Sequence, residues 1–239
     1  MKLDEIKKLQ QKKYRQQFGH YLVEGEHLVL ELQKAAQTNV RLRDCKVYVT
    51  AEREHWTSPF EVHVISNRHM DQIAETENPQ GIVALVPLLP PPAPQMDEQS
   101  IYLYEVQDPG NLGTILRTLA WFGKFRCLLS PGSVDPYNSK AIRASMGAIF
   151  HVPLELDVTP DALRSRFNRV ARLDMRGDPI QTAEFKKFSC YLFGNEARGL
   201  PPEHFSKLNA QSYTIAGGDR IESLNLASAV NMCAYELRR

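Results

Sequence analysis

Residues 100–123, SIYLYEVQDPGNLGTILRTLAWFG, decide how the C-terminal part of this chain folds. The first seven residues are rich in aliphatic and aromatic side chains and predict a strand. A proline–glycine pair then turns the chain, and Asn111 is placed to cap a helix over about residues 111–122. Gly113 allows close approach to the first turn of this helix, and Arg117 projects further along it. Strand, turn and helix in this order indicate an α/β sheet domain.

The rest of the C-terminal part repeats this alternation. The strand patterns FRCLLS, ARLDM, CYLFG and SYTIA are interspersed with helical patterns in NSKAIRASMG, DALRSRFNRV and residues 223–237. Such alternation favours a mostly parallel sheet covered by helices. Ligands of these sheets bind beyond the carboxyl ends of the strands, which directs attention to the loops after Val106, Phe193 and Ala216.

The N-terminal part, residues 1–88, mixes shorter elements. Residues 2–17 predict a polar, basic helix, and HLVLELQKAAQ places Leu28, Leu32 and Ala35 on one helical face. KVYVT, EVHVIS and GIVALVP predict strands, and MDQIAET predicts a short helix. These patterns indicate a small α/β domain.

A proline-rich run, LLPPPAPQMDEQS, separates the two parts. Proline fixes an extended backbone, so residues 89–99 are predicted to form a semi-rigid linker. We therefore expect domains at residues 1–88 and 100–239, both of ordinary domain size within a chain of 239 residues.

Composition excludes several classes of protein. With 29 basic and 28 acidic residues the net charge is +1, so any nucleic-acid contact must come from a local patch. Four widely spaced cysteines without zinc-ligand spacing argue against a disulfide framework or a metal site, and Cys127 and Cys190 are predicted to be buried. The N-terminus lacks a signal peptide, and prolines interrupt the longest uncharged stretch. We expect a cytoplasmic protein with no metal and no membrane span.

Two further loops carry polar residues beside predicted strand or helix ends. Gly194 can present bare backbone to a ligand, and Glu196 can accept hydrogen bonds from a substrate. Ser223 is placed to cap the last helix, and Asn225 lies in its first turn, where backbone N–H groups remain available. Taken singly, each loop fits an ordinary turn or cap as well as a functional site.

Together and in this order, the three segments resemble the motifs of the SpoU (TrmH-like) family of SPOUT-class RNA 2′-O-ribose methyltransferases. The connecting segment SPGSVDPYNSKAIRASMGAIFHVPL is also similar to that of the family, and KKYRQQFGHYLVEGEHLV is similar to the start of an RNA-binding domain that many members carry. The residues that match the motifs are Asn111, Gly113, Arg117, Gly194, Asn195, Glu196, Gly199, Ser223, Leu224, Asn225 and Ala227.

The resemblance implies a deep trefoil knot in the C-terminal domain and a homodimer formed through that domain. The residues alone would predict an unknotted doubly wound sheet, because knots are nearly absent from proteins. The expected fold class is thus α/β, with a knotted, mostly parallel C-terminal domain and a small N-terminal RNA-binding domain.

The resemblance also implies S-adenosylmethionine as methyl donor. The catalytic set it implies is Asn111, Arg117, Glu196, Ser223 and Asn225, and the donor-binding set is Leu192, Gly194, Ile215, Leu224 and Asn225. Arginine stays protonated at neutral pH, so we expect Arg117 to stabilise a developing alkoxide rather than to act as a base.

RNA contact is expected at the basic N-terminus, where residues 1–20 carry a net charge of +4. The expected contacts are Lys12, Lys13, Arg15 and Phe18. Structured ribosomal RNA is the favoured substrate and tRNA the second. Two other classes stay open: a non-catalytic RNA-binding protein, and a nucleotide- or NAD-binding α/β enzyme, although a GxGxxG fingerprint is missing.

Overall fold

The computed structural model describes residues 1–218, 220 and 223–239, and these divide into two compact units. Unit 1 comprises Met1–Pro90 and Asp135–His151, and unit 2 comprises Pro91–Val134 and Val152–Arg239. Residues 135–151, which the sequence placed in the C-terminal domain, therefore group with the N-terminal residues. The boundary at Pro90 lies within the predicted linker, and the predicted roles of the two domains stay predictions.

The described elements are as follows. The strands are β1 (His20–Glu24), β2 (Lys46–Val49), β3 (Glu61–Val64), β4 (Ile82–Pro87), β5 (Gln99–Leu103), β6 (Phe125–Leu129), β7 (Leu154–Glu155), β8 (Val170–Pro179), β9 (Cys190–Phe193) and β10 (Ala210–Thr214). The α-helices are α1 (Leu3–Ile6), α2 (Lys12–Phe18), α3 (Glu26–Thr38), α4 (Asn67–Ile73), α5 (Pro109–Phe122), α6 (Ser139–Ser145), α7 (Pro160–Arg166), α8 (Pro202–Phe205) and α9 (Leu226–Arg238). Short 3₁₀ segments lie at Lys7–Gln10, Val40–Leu42, Ala51–Arg53, Ala148–Phe150 and Phe185–Lys187.

Unit 1 is built on a four-stranded sheet of order β1-β4-β2-β3. Strand β4 runs antiparallel to both β1 and β2, and β2 is parallel to β3. Helix α3 buries Leu28, Leu32 and Ala35, as the helical spacing predicts. The sequence prediction of a small α/β domain is confirmed.

The predicted single helix over residues 2–17 was wrong. The chain instead forms α1, a 3₁₀ turn and α2, separated at Gln11, whose backbone is extended at φ −102° and ψ 134°. Ile6 and Leu9 are both buried in the core of unit 1, beside Met70 and Ile73. The extended backbone at Gln11 ends the 3₁₀ turn, so α2 runs in its own direction while Ile6 and Leu9 stay in the core.

Unit 2 is built on a six-stranded sheet of order β10-β8-β9-β5-β6-β7 in which the neighbouring strands are parallel. This confirms the predicted mostly parallel sheet. One core cluster contains Tyr102, Tyr104, Leu128, Val158, Leu163, Val170, Cys190, Leu192 and Phe205. The knot implied by the family resemblance stays a prediction.

Three details of unit 2 differ from the sequence expectations. Strand β7 and helix α8 were not predicted, because two and four residues are too short to show a period. Helix α9 begins at Leu226 rather than near Ser223. Strand β8 is longer than predicted: its register against β10 jumps between Arg172 and Asp178, so residues 173–177 bulge from the ladder.

The proline-rich run is held by an arginine on its C-terminal side. Arg126 of β6 is almost wholly buried; its guanidinium donates to the carbonyl of Pro92 at 2.8 Å and to Glu98 at 3.0 Å. Glu155 accepts from the same guanidinium at 2.9 Å. Within unit 2, the second half of the predicted linker is therefore fixed in place rather than free.

Burial governs the cysteines, as the sequence analysis predicts. Burial raises the pKa of the Cys45 and Cys127 thiols to about 12 and that of Cys190 and Cys233 still further. Within the described residues, no helix is both long and apolar enough to cross a membrane. Nor do these residues contain a cluster of three or more His, Cys, Asp or Glu side chains suited to a metal ion.

Candidate active site

Adjacent parallel strands bring two of the predicted motif loops together at one edge of the unit 2 sheet. Strands β5 and β9 are neighbours with Leu103 opposite Phe193, so the loops after them start at the same level. The loop after β5 leads into α5, which carries Asn111 in its first turn, and the loop after β9 carries Glu196. The sheet edge is the carboxyl edge, where parallel sheets bind their ligands.

Helix α5 is capped by a residue other than the predicted one. The side chain of Asp108 accepts a hydrogen bond from the backbone N–H of Asn111 at 2.6 Å, and Pro109 occupies the first helical position. The prediction that Asn111 caps this helix was wrong, because the aspartate three residues earlier already fills that position. The side chain of Asn111 is thereby left for other contacts.

A chain of side-chain hydrogen bonds joins residues of all three motifs. Asn111 donates from Nδ2 to Oε1 of Glu196 at 3.4 Å. Asn225 donates from Nδ2 to Oδ1 of Asn111 at 2.9 Å. Oδ1 of Asn225 accepts from the backbone N–H of Ser228 at 3.2 Å and so caps α9. We call this set, Glu196, Asn111 and Asn225, the polar chain.

The polar chain has only one consistent direction. An ionised carboxylate accepts hydrogen bonds but cannot donate them, so the amide nitrogen of Asn111 must face Glu196. Its oxygen then faces Asn225, which must use its own nitrogen. At the far end a backbone N–H requires the oxygen of Asn225. Both amides are thus oriented by the charge of Glu196 and by the α9 terminus.

Glu196 also receives backbone hydrogen bonds from the start of α5. The N–H groups of Gln107 and Asp108 donate to its two carboxylate oxygens at 3.4 and 3.5 Å. These long contacts place a negative charge beside the N-terminus of a 14-residue helix, where the helix dipole favours it. Glu196 itself remains exposed to solvent.

Asn195, which was not among the predicted site residues, fixes the loop that carries Glu196. Its buried side chain donates to the carbonyl of Glu105 at 2.7 Å and accepts from the N–H groups of Ala197 and Arg198 at 3.0 and 3.1 Å. Its backbone also pairs with that of Gly199 in both directions. Glu105 itself adopts the left-handed region at φ 47°, which is uncommon for a non-glycine residue. Asparagine directly before the predicted Glu196 was the available sequence signal.

Two glycines allow this loop to close. A Cβ atom on Gly194 would lie 2.3 Å from the carbonyl carbon of Gly199, far inside van der Waals contact. Gly199 adopts φ 64°. Only residues without a side chain at position 194 allow the backbone to approach so closely, which explains the glycine quoted from the second motif.

Arg117 and Ser223 lie outside the polar chain. Arg117 is exposed on α5 and has no ion pair or hydrogen-bond partner among the described residues. Six residues of α-helix separate it from Asn111, which leaves the two side chains about 120° apart around the axis. Ser223 is exposed and precedes α9 by three residues, so the prediction that it caps this helix was wrong; Asn225 does so.

The predicted donor-binding residues divide into two groups. Gly194, Ile215 and Leu224 lie on loops at or after strand ends, and the side chain of Leu224 is exposed although it is apolar. Leu192, in contrast, is fully buried in the core of unit 2 and sits in the middle of the sheet, opposite Tyr102. Its side chain packs in the core, so Leu192 could contact a donor only through its backbone, and its place in the predicted set stays a prediction.

The predicted RNA contacts in unit 1 also divide. Lys12 and Lys13 are exposed at the start of α2, and Lys13 Nζ lies 5.7 Å from the ring centroid of Tyr14. Phe18 is half-buried against the unit 1 core and stacks on Tyr14 at 6.0 Å. Arg15 is 4% exposed and paired with Asp135, so burial removes it from the set that can touch RNA.

Both parts of the chain are similar to known protein families. A model described as the SpoU rRNA Methylase family matches residues 98–235, and one described as the MRM3-like substrate binding domain matches residues 1–84. The chain is 30% identical to the 23S rRNA (guanosine(2553)-2′-O)-methyltransferase RlmP of Bacillus subtilis, with 99% of this chain and 96% of that protein covered.

Solved structures resemble the whole chain as well. A TrmH-family protein from Porphyromonas gingivalis superposes with a TM-score of 0.83 at 31% identity, covering 99% of this chain and 96% of that one. An rRNA methyltransferase from Sinorhizobium meliloti, solved with S-adenosylmethionine bound, superposes with a TM-score of 0.81 at 26% identity, covering 99% and 93%.

The direction of the polar chain can be tested by reversing it. Asn225→Asp keeps a good helix cap but places a carboxylate against Oδ1 of Asn111, so the amide must turn its oxygen towards Glu196. We expect a loss of about 0.5–1.5 kcal/mol in the free energy of unfolding. Adding Glu196→Gln supplies a donor for the turned amide and should recover most of this loss. The measurement is urea unfolding of the four proteins of the cycle.

Glu105→Gln provides the matched control, because it removes the same charge close by but lies outside the polar chain. Combined with Asn225→Asp it should give additive losses. Equal recovery by Glu105→Gln and Glu196→Gln would mean that only net charge matters, and the proposed direction would be wrong.

Proposed function

Because this chain belongs to the SpoU rRNA methylase family, we propose that it transfers a methyl group from S-adenosylmethionine to a ribose 2′-hydroxyl of structured RNA, with ribosomal RNA favoured. The observation that carries the proposal is the polar chain, which joins Asn111, Glu196 and Asn225 at the carboxyl edge of a parallel sheet. Three loops distant in sequence are brought together there by side chains of the matching motifs.

The residues at this edge fit the methyl donor. Exposed apolar Leu224 and half-buried Ile215 offer surfaces for an adenine ring, while Gly194 exposes backbone groups at the end of β9. S-adenosylmethionine supplies an electrophilic methyl group when bound. Asn225 would contribute by its fixed position between the start of α9 and Asn111.

The chain's own side chains must position the ribose and assist its oxygen. A ribose hydroxyl is a weak nucleophile, and its attack needs alignment with the methyl carbon and loss of a proton. Asn111 and Glu196 would hold the sugar through the polar chain, and Ser223 would shape the adjoining loop. Arg117 would stabilise the alkoxide or the neighbouring phosphate, since its guanidinium is always charged.

Unit 1 is proposed to bind the RNA substrate. Its residues 1–84 match a substrate-binding domain, and Lys12 and Lys13 are exposed cations on it. Lysines contact phosphates without reading sequence, so these residues support affinity rather than choice of nucleotide. Transfer RNA remains the second candidate substrate.

We also propose a homodimer formed through unit 2. Trp121 on α5 is 85% exposed. Met232 and Tyr235, on helix α9 of the same chain, which packs against α5, are exposed as well. A large apolar group left in water on neighbouring helices is typical of an interaction surface. Arg117 lies four residues before Trp121 and so shares its helical face.

The proposed function is tested by locating the methyl group. Ribosomal RNA and tRNA from a deletion strain are incubated with the protein and donor carrying a labelled methyl group. We expect label at one ribosomal nucleotide, in a linkage that resists alkali because the 2′-oxygen is blocked. Calorimetry should detect binding of S-adenosylmethionine to the protein but no binding of NAD. Label confined to tRNA would favour the second candidate, and RNA binding without transfer would indicate a non-catalytic RNA-binding protein.

Arg117→Ala should lower single-turnover methylation by about 10²–10³-fold, or about 3–4 kcal/mol, because one preorganised donor to an oxyanion is lost. Arg117→Lys keeps the charge but not the planar fork and should recover activity only in part. Donor affinity should change little. Thr114→Ala, on the next exposed turn of α5, is the control. Near-normal turnover in Arg117→Ala would refute the catalytic role.

Trp121→Lys should convert the dimer to a monomer, because a second cation beside Arg117 cannot be buried unpaired in an apolar interface. Sedimentation at micromolar concentration should give about twice the chain mass of 27.2 kDa for the parent protein and the single chain mass for the variant. Met175→Lys, at another exposed apolar position of unit 2, should stay dimeric. A monomeric parent protein would contradict the proposal.

A further inference from the structure

The segment 135–151 is the part of unit 1 that the function described so far does not use. In sequence it lies between β6 and β7 of unit 2, yet it packs with residues 1–90. It contains α6, whose sequence SKAIRAS carries two cations and no acidic residue.

A buried ion pair attaches the start of the segment to α2. Arg15 donates from Nε and Nη2 to Oδ2 of Asp135, at 3.0 and 2.5 Å. Its remaining nitrogen donates to the carbonyls of Leu9 and Gln10, at 2.7 and 2.9 Å. The side chains of Arg15 and Asp135 are only 5% and 11% exposed. Removing either one would leave the other as an unpaired buried charge, which is strongly destabilising.

Further contacts hold the rest of the segment. The ring of Tyr137 lies 4.7 Å from that of Tyr21 on β1. Ser139 Oγ donates to Glu75. At the end of the segment, a Cβ on Gly147 would lie 2.7 Å from Cβ of Glu31 on α3. The segment is therefore packed along its length rather than tethered at one point.

Helix α6 consequently has a defined inner and outer face. Ala141, Ile142 and Ser145 are buried, and α6 contacts the edge strand β1. Lys140 and Arg143, three residues apart, share the opposite face and are exposed. Neither has an ion-pair partner among the described residues.

Helix α2 lies against the same strand. It also contacts β1, it exposes Lys12 and Lys13, and its sequence KKYRQQF likewise contains no acidic residue. The ion pair between Arg15 and Asp135 ties α2 to the start of the α6 segment. Two acid-free helices with exposed cations thus both contact the edge strand of one sheet.

We propose that Lys140 and Arg143 bind RNA phosphates as part of one surface with Lys12 and Lys13. The proposal rests on the proposed function, since RNA is the polyanion that such an enzyme must hold. It assigns RNA contact to a helix that the sequence placed in the methyltransferase domain. Arg15 and Asp135 do not touch RNA in this proposal; they position the two helices.

The test compares two exposed double variants of the full chain. Lys140→Gln/Arg143→Gln removes the proposed contacts, and Lys207→Gln/Arg176→Gln removes two exposed cations of unit 2 as the matched control. The probe is unmodified large-subunit ribosomal RNA transcribed in vitro, titrated between 50 and 300 mM KCl. Donor affinity and thermal melting of each variant are recorded as checks of the fold.

Loss of two phosphate contacts should reduce the slope of log affinity against log salt by about 1.4–1.8. At 100 mM salt this corresponds to affinity about 25- to 60-fold weaker than that of the control. KM for RNA should rise in proportion, whereas kcat at saturating RNA should change less than about threefold. Lys140→Glu/Arg143→Glu should weaken binding further.

Affinity and salt slope equal to those of the control would overturn the inference. So would normal binding of free RNA with impaired binding of assembled ribosomal subunits, because the face would then serve a protein. In either case methylation by the parent protein would leave the proposed function intact. Absence of both RNA binding and methyl transfer in the parent protein would instead refute the proposed function.

Discussion

The parallel pairing of β5 with β9 is the constraint on which the candidate site depends. It sets the loops after both strands at one level, where Asn195 of the second loop can bind the carbonyl of Glu105 in the first. That hydrogen bond, the close contact of Gly194 with Gly199 and the left-handed backbone at Glu105 fix the loop that carries Glu196. Without this registration no carboxylate would stand beside the start of α5.

The carboxylate of Glu196 sets the direction of the hydrogen bonds in the polar chain. A carboxylate can only accept, so Asn111 must donate to it, and Asn225 must donate to Asn111. The same amide oxygen of Asn225 then caps α9, which links the orientation of a site residue to the start of a helix. An arrangement of this kind is preorganised, because no amide needs to turn when a polar substrate arrives.

Much of the fold could be predicted from periodicity, and much of the candidate site from motif resemblance. The apolar spacing of Leu28, Leu32 and Ala35 predicted α3, and alternating segments predicted the parallel sheet. Capping was predicted less well, because Asp108 and Asn225 compete with Asn111 and Ser223 for the same role within three residues. Charge alone suggested that Arg15 meets RNA, since sequence does not show that Asp135, 120 residues later, buries it.

The division of the chain into units is the feature that sequence could not show. One boundary between the units, Pro90/Pro91, lies in the proline-rich run, but residues 135–151 return to unit 1 later in the chain. A chain cut at the run would leave Asp135 without Arg15 and would strip residues 1–90 from the buried face of α6. An uncompensated buried charge and exposed apolar side chains both oppose folding. Residues 1–90 therefore cannot be removed by a single cut without uncovering residues 135–151 of the same unit.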